Sequence, residues 1–428
     1  MRIDEHSNSD SSLPGIIGGT IAVAFTVVLI VGIVDYRIKK NKIEENKNME
    51  GIDGSKSSQR KYTSTKYLPL SSILNGNVVI PSIKEFEELI NYEDGIRQSF
   101  STFHGEKYNT EDGYNLVSIN LPFDHNRIKL RSLVNGSDYI NANWISTPSE
   151  QPSFEEISYV QRNPFNKVNF AVGQHPLQNT LQHHYSMILE TQMNVVVSIE
   201  ENENKSPYII GRSYKFKDLI LRVNQRKNIN DRLRRSEITL LNECQKEHQL
   251  VYFELFGWSK VELRSIDDFE HLVLSMYMIR NEMKQAKSAL RVMVHDSRGG
   301  VGGAAFFVAM YRLMQQIDEA FNESDQLKQS IATDISIFHT VNGLRKDRAK
   351  MIEDYSIYKL LHRCLAYYGS KRLHLRNKVL HQSTKIDPSD NNSNFVGNVS
   401  VYSQDNFCSD IFSYTNRYQN ISEMSEYF

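Results

Sequence analysis

The stretch RVMVHDSRGGVGGAAFF, residues 291–307, reads as a buried strand, a glycine-rich loop and the start of a helix. Val292, Met293 and Val294 form a short apolar run of the kind a buried strand uses. Gly299, Gly300, Gly302 and Gly303 then let the backbone turn tightly, and a helical pattern starts at Ala304. Backbone amides in such a loop, backed by the helix dipole, make a cradle for an anion. Yet Asp296, where strand gives way to loop, is itself an anion. Set against a phosphate dianion at about 4 Å, that single charge costs roughly 2 kcal/mol even in water. The expectation is that Asp296 fills the cradle from within, accepting hydrogen bonds from the loop amides and keeping the loop folded.

Outward from this stretch the composition is that of an ordinary globular chain. Across 428 residues, 50 Lys and Arg stand against 51 Asp and Glu, a formal net charge of −1. Nucleic acid is therefore not an expected partner. Cys244, Cys364 and Cys408 are too widely spaced for a metal site or a disulfide framework, and no metal or cofactor is expected. From Gly15 to Val34 the chain is uncharged and apolar for about the length that spans a bilayer core. Arg37, Lys39, Lys40 and Lys42 follow it. The positive-inside rule then predicts one membrane helix at 15–35, a short extracellular N-terminus at 1–14, and the rest in the cytoplasm. A cleaved signal peptide would need a basic n-region and a small-x-small cleavage site, and neither is evident.

Residues 36–75 are polar and aperiodic and read as a flexible juxtamembrane linker. Order begins at IPSIKEFEELI, where Ser82 and Glu85 make a capping box and Ile83, Phe86, Leu89 and Ile90 recur on one helical face. Runs such as NVVVSIE (194–200) and QLVYFELFGW (249–258) then interleave with helical patterns after Ala304 and around Tyr358. The basic run RVNQRKNINDRLRRSE (222–237) reads as a solvated hairpin. The predicted fold is α/β, a twisted mixed sheet flanked by helices, in one domain at 76–370. A polar, disordered tail at 371–428 follows.

Six segments in order resemble one known family. They are LPFDHNRIKL with SDYINANWI (121–145), FAVGQHPLQNT (170–180), ELFGW (254–258), VHDSRGGVGG (294–303) and IFHTVNGLRKDRAKMIEDYSIY (337–358). Collinear from about Ile80 to Gly369, they resemble the protein tyrosine phosphatases, and the preceding membrane span points to receptor-type members. In that chemistry a thiolate held by loop amides attacks phosphorus, and a guanidinium grips the equatorial oxygens. An acid protonates the leaving phenolate, and a polar side chain then places the hydrolytic water.

Carried over residue by residue, the resemblance implies that these parts are replaced. Asp296 stands at the nucleophile position and Gly302 at the loop arginine. Lys260 stands at the general acid, after Trp258 and Ser259, and the substrate-stacking tyrosine falls near Val117. The water-positioning glutamines fall on Glu353 and Ile357. What remains of the phosphate loop is His295, Asp296, Ser297, Arg298, Gly299, Gly300, Val301 and Gly302. His295 is expected to be a structural hydrogen-bonding residue, and Arg298 a compensating ion pair or a solvent-facing side chain. An aspartyl nucleophile at Asp296 would need Mg²⁺ held by further carboxylates, and none cluster around this loop in the sequence.

The same replacements resemble the inactive, membrane-distal domains of the gamma and zeta receptor phosphatases. The expected function is that of a catalytically inactive, regulatory or scaffolding module on a single-pass membrane protein. Its expected partners are other proteins, active receptor phosphatases and phosphotyrosine-pathway proteins among them. The alternative is a working tyrosine or other phosphomonoester phosphatase with atypical catalytic residues.

Overall fold

A computed structural model describes residues 66–110, 113–116, 120–146, 168–201, 213–216, 219–242, 247–258, 266–285, 290–327 and 334–383. The expected membrane helix at 15–35 and the end of the chain beyond 383 lie outside the described residues. Among the described residues, no helix is long and apolar enough to cross a membrane.

The chain opens with β1 (Leu68–Pro69), α1 (Leu70–Leu74), α2 (Ile83–Arg97) and α3 (Phe103–Thr110). Strands β2 (Arg127–Val134), β3 (Ser137–Ile145) and β4 (Val168–Gln174) precede α4 (Leu181–Thr191). There follow β5 (Val195–Ile199), β6 (Ser213–Lys215), β7 (Leu219–Asn230), β8 (Leu233–Asn242) and β9 (Glu247–Leu255), then α5 (Ile266–Gln285). Finally β10 (Leu290–Asp296) leads into α6 (Gly303–Leu327), β11 (Asp334–Ile335), α7 (Ile337–Asp347) and α8 (Tyr355–Ser383).

Burial patterns explain the order of the main sheet, β2-β3-β4-β10-β5-β9-β8-β7-β6. The VVVSI run of β5 is buried at every position, as a strand covered on both faces must be. The neighbours β4, β10, β5 and β9 run parallel. The flanking strands are antiparallel, and the expected basic hairpin is the β7–β8 pair. Alternate residues of β10 serve different cores. Val292 and Val294 pack with Phe306, Leu313 and Leu361 of the helices on one face, whereas Met293 packs with Tyr185 and Ile188 of α4 on the other. Asp296 is in register with Gln174 and Ile199, so the ends of these strands meet at one edge, where α/β sheets place their sites.

Ser82 caps α2 as expected, its Oγ accepting from the Glu85 N–H at 3.2 Å. Of the four apolar residues expected on one face, Phe86 and Leu89 are buried, while Ile83 and Ile90 are exposed. The expected domain limits, 76 and 370, both fall inside ordered structure. Upstream, Leu68, Leu70, Ile73 and Leu74 are buried in the main core, and β1 pairs with β11. Their apolar run is short enough to hide among polar neighbours. Downstream, α8 continues to Ser383, and its first cations beyond the expected limit find carboxylates: Lys371 lies 3.5 Å from Glu270 and Arg372 2.9 Å from Asp318.

Candidate functional site

Residues 297–302 form the loop between β10 and α6. Asp296, 2% exposed, organises all of it. Its Oδ1 accepts from the N–H of Arg298 at 2.9 Å and of Gly300 at 2.6 Å. Its Oδ2 accepts from Gly302 at 3.2 Å and Ala304 at 2.9 Å. Four backbone donors at a helix N-terminus are what an anion cradle offers, and one carboxylate takes them all. Gly299 and Gly300 make the turn at φ 71° and 81°, in the left-handed region. A Cβ at Gly300 would also lie 2.7 Å from Val172 Cγ1 and 3.0 Å from the Gly173 carbonyl oxygen.

Two arginines serve the loop from different sides. Arg298, on the loop itself, sends its guanidinium to Glu353, with Asp354 at 4.0 Å. It is therefore an ion pair, but its partner is Glu353, and only its backbone N–H goes to Asp296. Its stem also fills the space beside Gly302, where a Cβ would lie 2.8 Å from Arg298 Cδ. Arg348 is fully buried beneath the loop. Its Nη2 donates to the Gly299 carbonyl at 2.7 Å and to Asn141 Oδ1 at 2.7 Å, and its Nη1 donates to Asn143 Oδ1 at 2.6 Å. Burial pulls the Arg348 guanidinium down to about 10, against the opposing charges of Tyr139 and Asp296. Asp296 and Arg348 thus offset each other across the loop backbone.

The remaining predicted positions are scattered. Ile357 is buried in the main core on the first turn of α8. Glu353 is committed to Arg298. Lys260, Ser259 and Val117 lie outside the described residues. Trp258 donates its N–H to the Glu200 carbonyl at 3.1 Å and packs its ring 4.9 Å from Phe306. A Cβ at Gly303 would meet that ring at 3.0 Å, so the segment after β9 is pressed onto the first turn of α6. Cys364 sits in the core, where burial pushes its thiol up and keeps it un-ionised. Among the described residues, no group of three or more His, Cys, Asp or Glu side chains is placed to hold a metal ion.

His295 has the structural, hydrogen-bonded position expected of it, but in company the sequence did not reveal. Its Nδ1 lies 2.6 Å from His175 Nδ1, and its Nε2 lies 3.5 Å from Tyr252 Oη. The His184 ring meets it edge-on at 5.1 Å. His175 Nε2 is 3.3 Å from Glu200 Oε2, and Glu200 Oε1 accepts from Ser198 Oγ at 2.5 Å. The parallel pairing of β4, β10, β5 and β9 brings the strand residues together beside α4, and no spacing in the sequence signals it. Arg348 was likewise hidden among the basic residues of RKDRAK.

Residues 115–367 match the family described as Protein-tyrosine phosphatase. The chain is 24% identical over 261 residues to receptor-type tyrosine-protein phosphatase eta of Mus musculus, covering 59% of this chain and 18% of that protein. It is 24% identical over 285 residues to receptor-type tyrosine-protein phosphatase C of Homo sapiens, covering 63% and 19%. To receptor-type tyrosine-protein phosphatase V of Rattus norvegicus it is 26% identical over 261 residues, covering 57% and 13%. The chain spans less than a fifth of the length of each of these relatives.

Proposed function

The chain belongs to the protein-tyrosine phosphatase family, and we propose that its domain works there without turnover, as a regulatory or scaffolding module that binds other proteins. The observation that carries this reading is the carboxylate of Asp296 holding four loop amides. A phosphate dianion entering the loop would have to displace a covalently tethered anion that is already fully hydrogen-bonded. It would gain no free guanidinium in return, because Arg298 and Arg348 already have protein acceptors. The side chain at the attacking position has no sulfur, and an ionised carboxylate held by amides is a poor nucleophile.

The same reading places the module at the cytoplasmic face of a membrane, tethered by the apolar segment from Gly15 to Val34. The similarity to receptor-type phosphatases favours this, as do the basic residues that follow the segment. Its partners are then phosphotyrosine-pathway proteins, active receptor phosphatases included. The whole chain, purified in detergent, should release no phosphate from p-nitrophenyl phosphate or from phosphotyrosine peptides. Turnover that vanishes in Asp296→Ala would overturn the reading and establish an atypical enzyme instead.

A further inference from the structure

Beneath the loop lies a second set of ionisable groups that this reading leaves unused. His175, on the turn after β4, and His295, on β10, are 5% and 0% exposed. Their Nδ1 atoms approach to 2.6 Å with the rings at 75°. One proton between two imidazole nitrogens makes a hydrogen bond, whereas two doubly protonated rings set N–H against N–H and one positive charge against another. This contact joins two parts of the site, because the His175 N–H also donates to the Asp296 carbonyl at 2.9 Å. Whatever parts the two rings therefore pulls on the residue that gathers the loop amides.

Charged and titratable groups face the pair from each neighbouring element. On β10 the next residue is Asp296, whose carboxylate is engaged by amides. After β5 comes Glu200, against His175. From α4 comes His184, against His295. From β9 come Tyr252, against His295 Nε2, and Glu254, whose charge acts on Tyr252 and is itself held by Arg226 and Arg234 of the hairpin. Below the loop lies Arg348. Glu200 offsets one imidazolium, but a second would set two positive charges 2.6 Å apart in a dry interior.

We propose that His175 and His295 form a proton-operated clamp, which holds the turn after β4 against the loop while they share one proton and releases it when both rings are charged. Release frees the loop amides from Asp296, so the surface offered to a partner changes with acidity. Burial, and then the charges of His175 and His184, hold the His295 imidazole well below its ordinary range. The second proton therefore enters only as pH falls below the usual imidazole value of about 6.5. The clamp follows from the geometry of the cluster and holds whether or not the domain turns over a substrate.

Hydrogen exchange on the whole chain in detergent, corrected for the intrinsic pH dependence of exchange, tests this. Between pH 7.5 and pH 5, the amides of Gly300, Gly302 and Ala304 should exchange at least ten-fold faster, on the order of 1.4 kcal/mol of lost protection. The amides of Val197 and Leu313, in the core, exchange only with global opening and should stay better protected than the loop at pH 5. His175→Gln keeps a hydrogen-bonding group that never gains a charge, and should abolish the acid dependence at the loop. His184→Phe keeps the pair but removes the third imidazole, and should move the midpoint to higher pH. Loop protection that stays flat to pH 5, loop amides as well protected as the core at pH 5, or an acid response that survives in His175→Gln would each overturn the clamp. Should His175→Gln fail to fold, ring-proton titration of the unaltered chain decides. The midpoint of the His175 and His295 rings must coincide with that of the loop amides, and separate midpoints refute the proposal.

Discussion

Among the buried aspartates of the described residues, Asp318 and Asp296 are held in opposite ways. Asp318, on α6, is surrounded by side chains from α5 and α8. Arg280 Nη1 lies at 2.6 Å, Lys284 Nζ at 3.1 Å, the Tyr368 hydroxyl at 2.7 Å and Arg372 Nε at 2.9 Å. Asp296 is held instead by four backbone N–H groups. A carboxylate among cations ties helices together, and its loss strands those cations. A carboxylate among amides fills a cradle whose turn the glycines make and whose donors the loop and the helix end supply. The first centre binds side chains of three helices to one another, and the second binds one side chain to the backbone of its own loop.

The largest effect that can break this comparison is at Asp318. Asp318→Ala leaves Arg280, 1% exposed, without its carboxylate, and should cost about 3–5 kcal/mol, read as a fall in the urea midpoint. A cost below about 1 kcal/mol would mean that the cluster does not hold the three helices together.

Acid should reach the buried histidines and the Asp318 centre at different pH. Burial pushes the imidazoles of His184, beside the loop, and His362, on α8, down to about 3. The unfolded chain takes up these protons near pH 6.5, so the stability the neutral rings provide is complete above that pH and is lost as pH falls towards 3. By pH 4 the loss is about 3 kcal/mol for each ring. At Asp318, burial pushes the carboxyl up, but the charges of Arg280, Arg372 and Lys284 outweigh it and hold the group well below the usual range. Its contribution is present above about pH 4 and fades only below that. Urea titrations at pH 7 and pH 4.5 on His184→Phe and His362→Phe should show a smaller acid loss than the parent chain. An unchanged acid loss in both variants would place the sensitive groups elsewhere.

How much of this was legible depends on distance along the chain. The strand–loop–helix run at 291–307, the Ser82 cap, the β7–β8 hairpin and the bond-accepting role of Asp296 are local patterns, and each has the form its residues dictate. The ends of the domain were misplaced because Leu70 and Ile73 bury in a short apolar run, while Lys371 and Arg372 look solvated until Glu270 and Asp318 are brought beside them. The histidine cluster and Arg348 were invisible for a stronger reason. His175 meets His295 across 120 residues, and Arg348 meets Asn143 across 205. Periodicity and spacing carry no information about such contacts; the sheet order and the packing of α7 on it create them.

Asp296 itself should give a smaller change in stability than Asp318, with a gain of binding in exchange. Asp296→Ala removes the occupant but leaves Gly299, Gly300 and the end of α6 in place, so the expected cost is about 2 kcal/mol. The emptied cradle should bind sulfate measurably by isothermal titration, whereas the parent chain should not. Equal sulfate binding by both would mean that Asp296 does not occupy the anion position, and the contrast with Asp318 would dissolve.

The smallest effect concerns the second half of the loop's charge balance. Arg298 is 39% exposed, so Arg298→Ala should cost less than about 1 kcal/mol despite the pair with Glu353. Its steric role should be easier to read than its charge. Gly302 lies outside the left-handed region, so Gly302→Ala carries no backbone penalty, but its Cβ would meet Arg298 Cδ at 2.8 Å. The methyl group must push the Arg298 stem aside and draw its guanidinium away from Glu353. In the Arg298→Ala background only ordinary contacts remain, at 3.6 Å from Cβ of residue 298 and 3.6 Å from Asp296 Oδ2. A double-mutant cycle should therefore show Gly302→Ala better tolerated without Arg298, with a coupling of about 0.5–1 kcal/mol. Additive costs would mean that Arg298 yields freely. The space beside Gly302 would then be open to a larger side chain, and the loop would be less firmly closed around Asp296 than its four amide bonds imply.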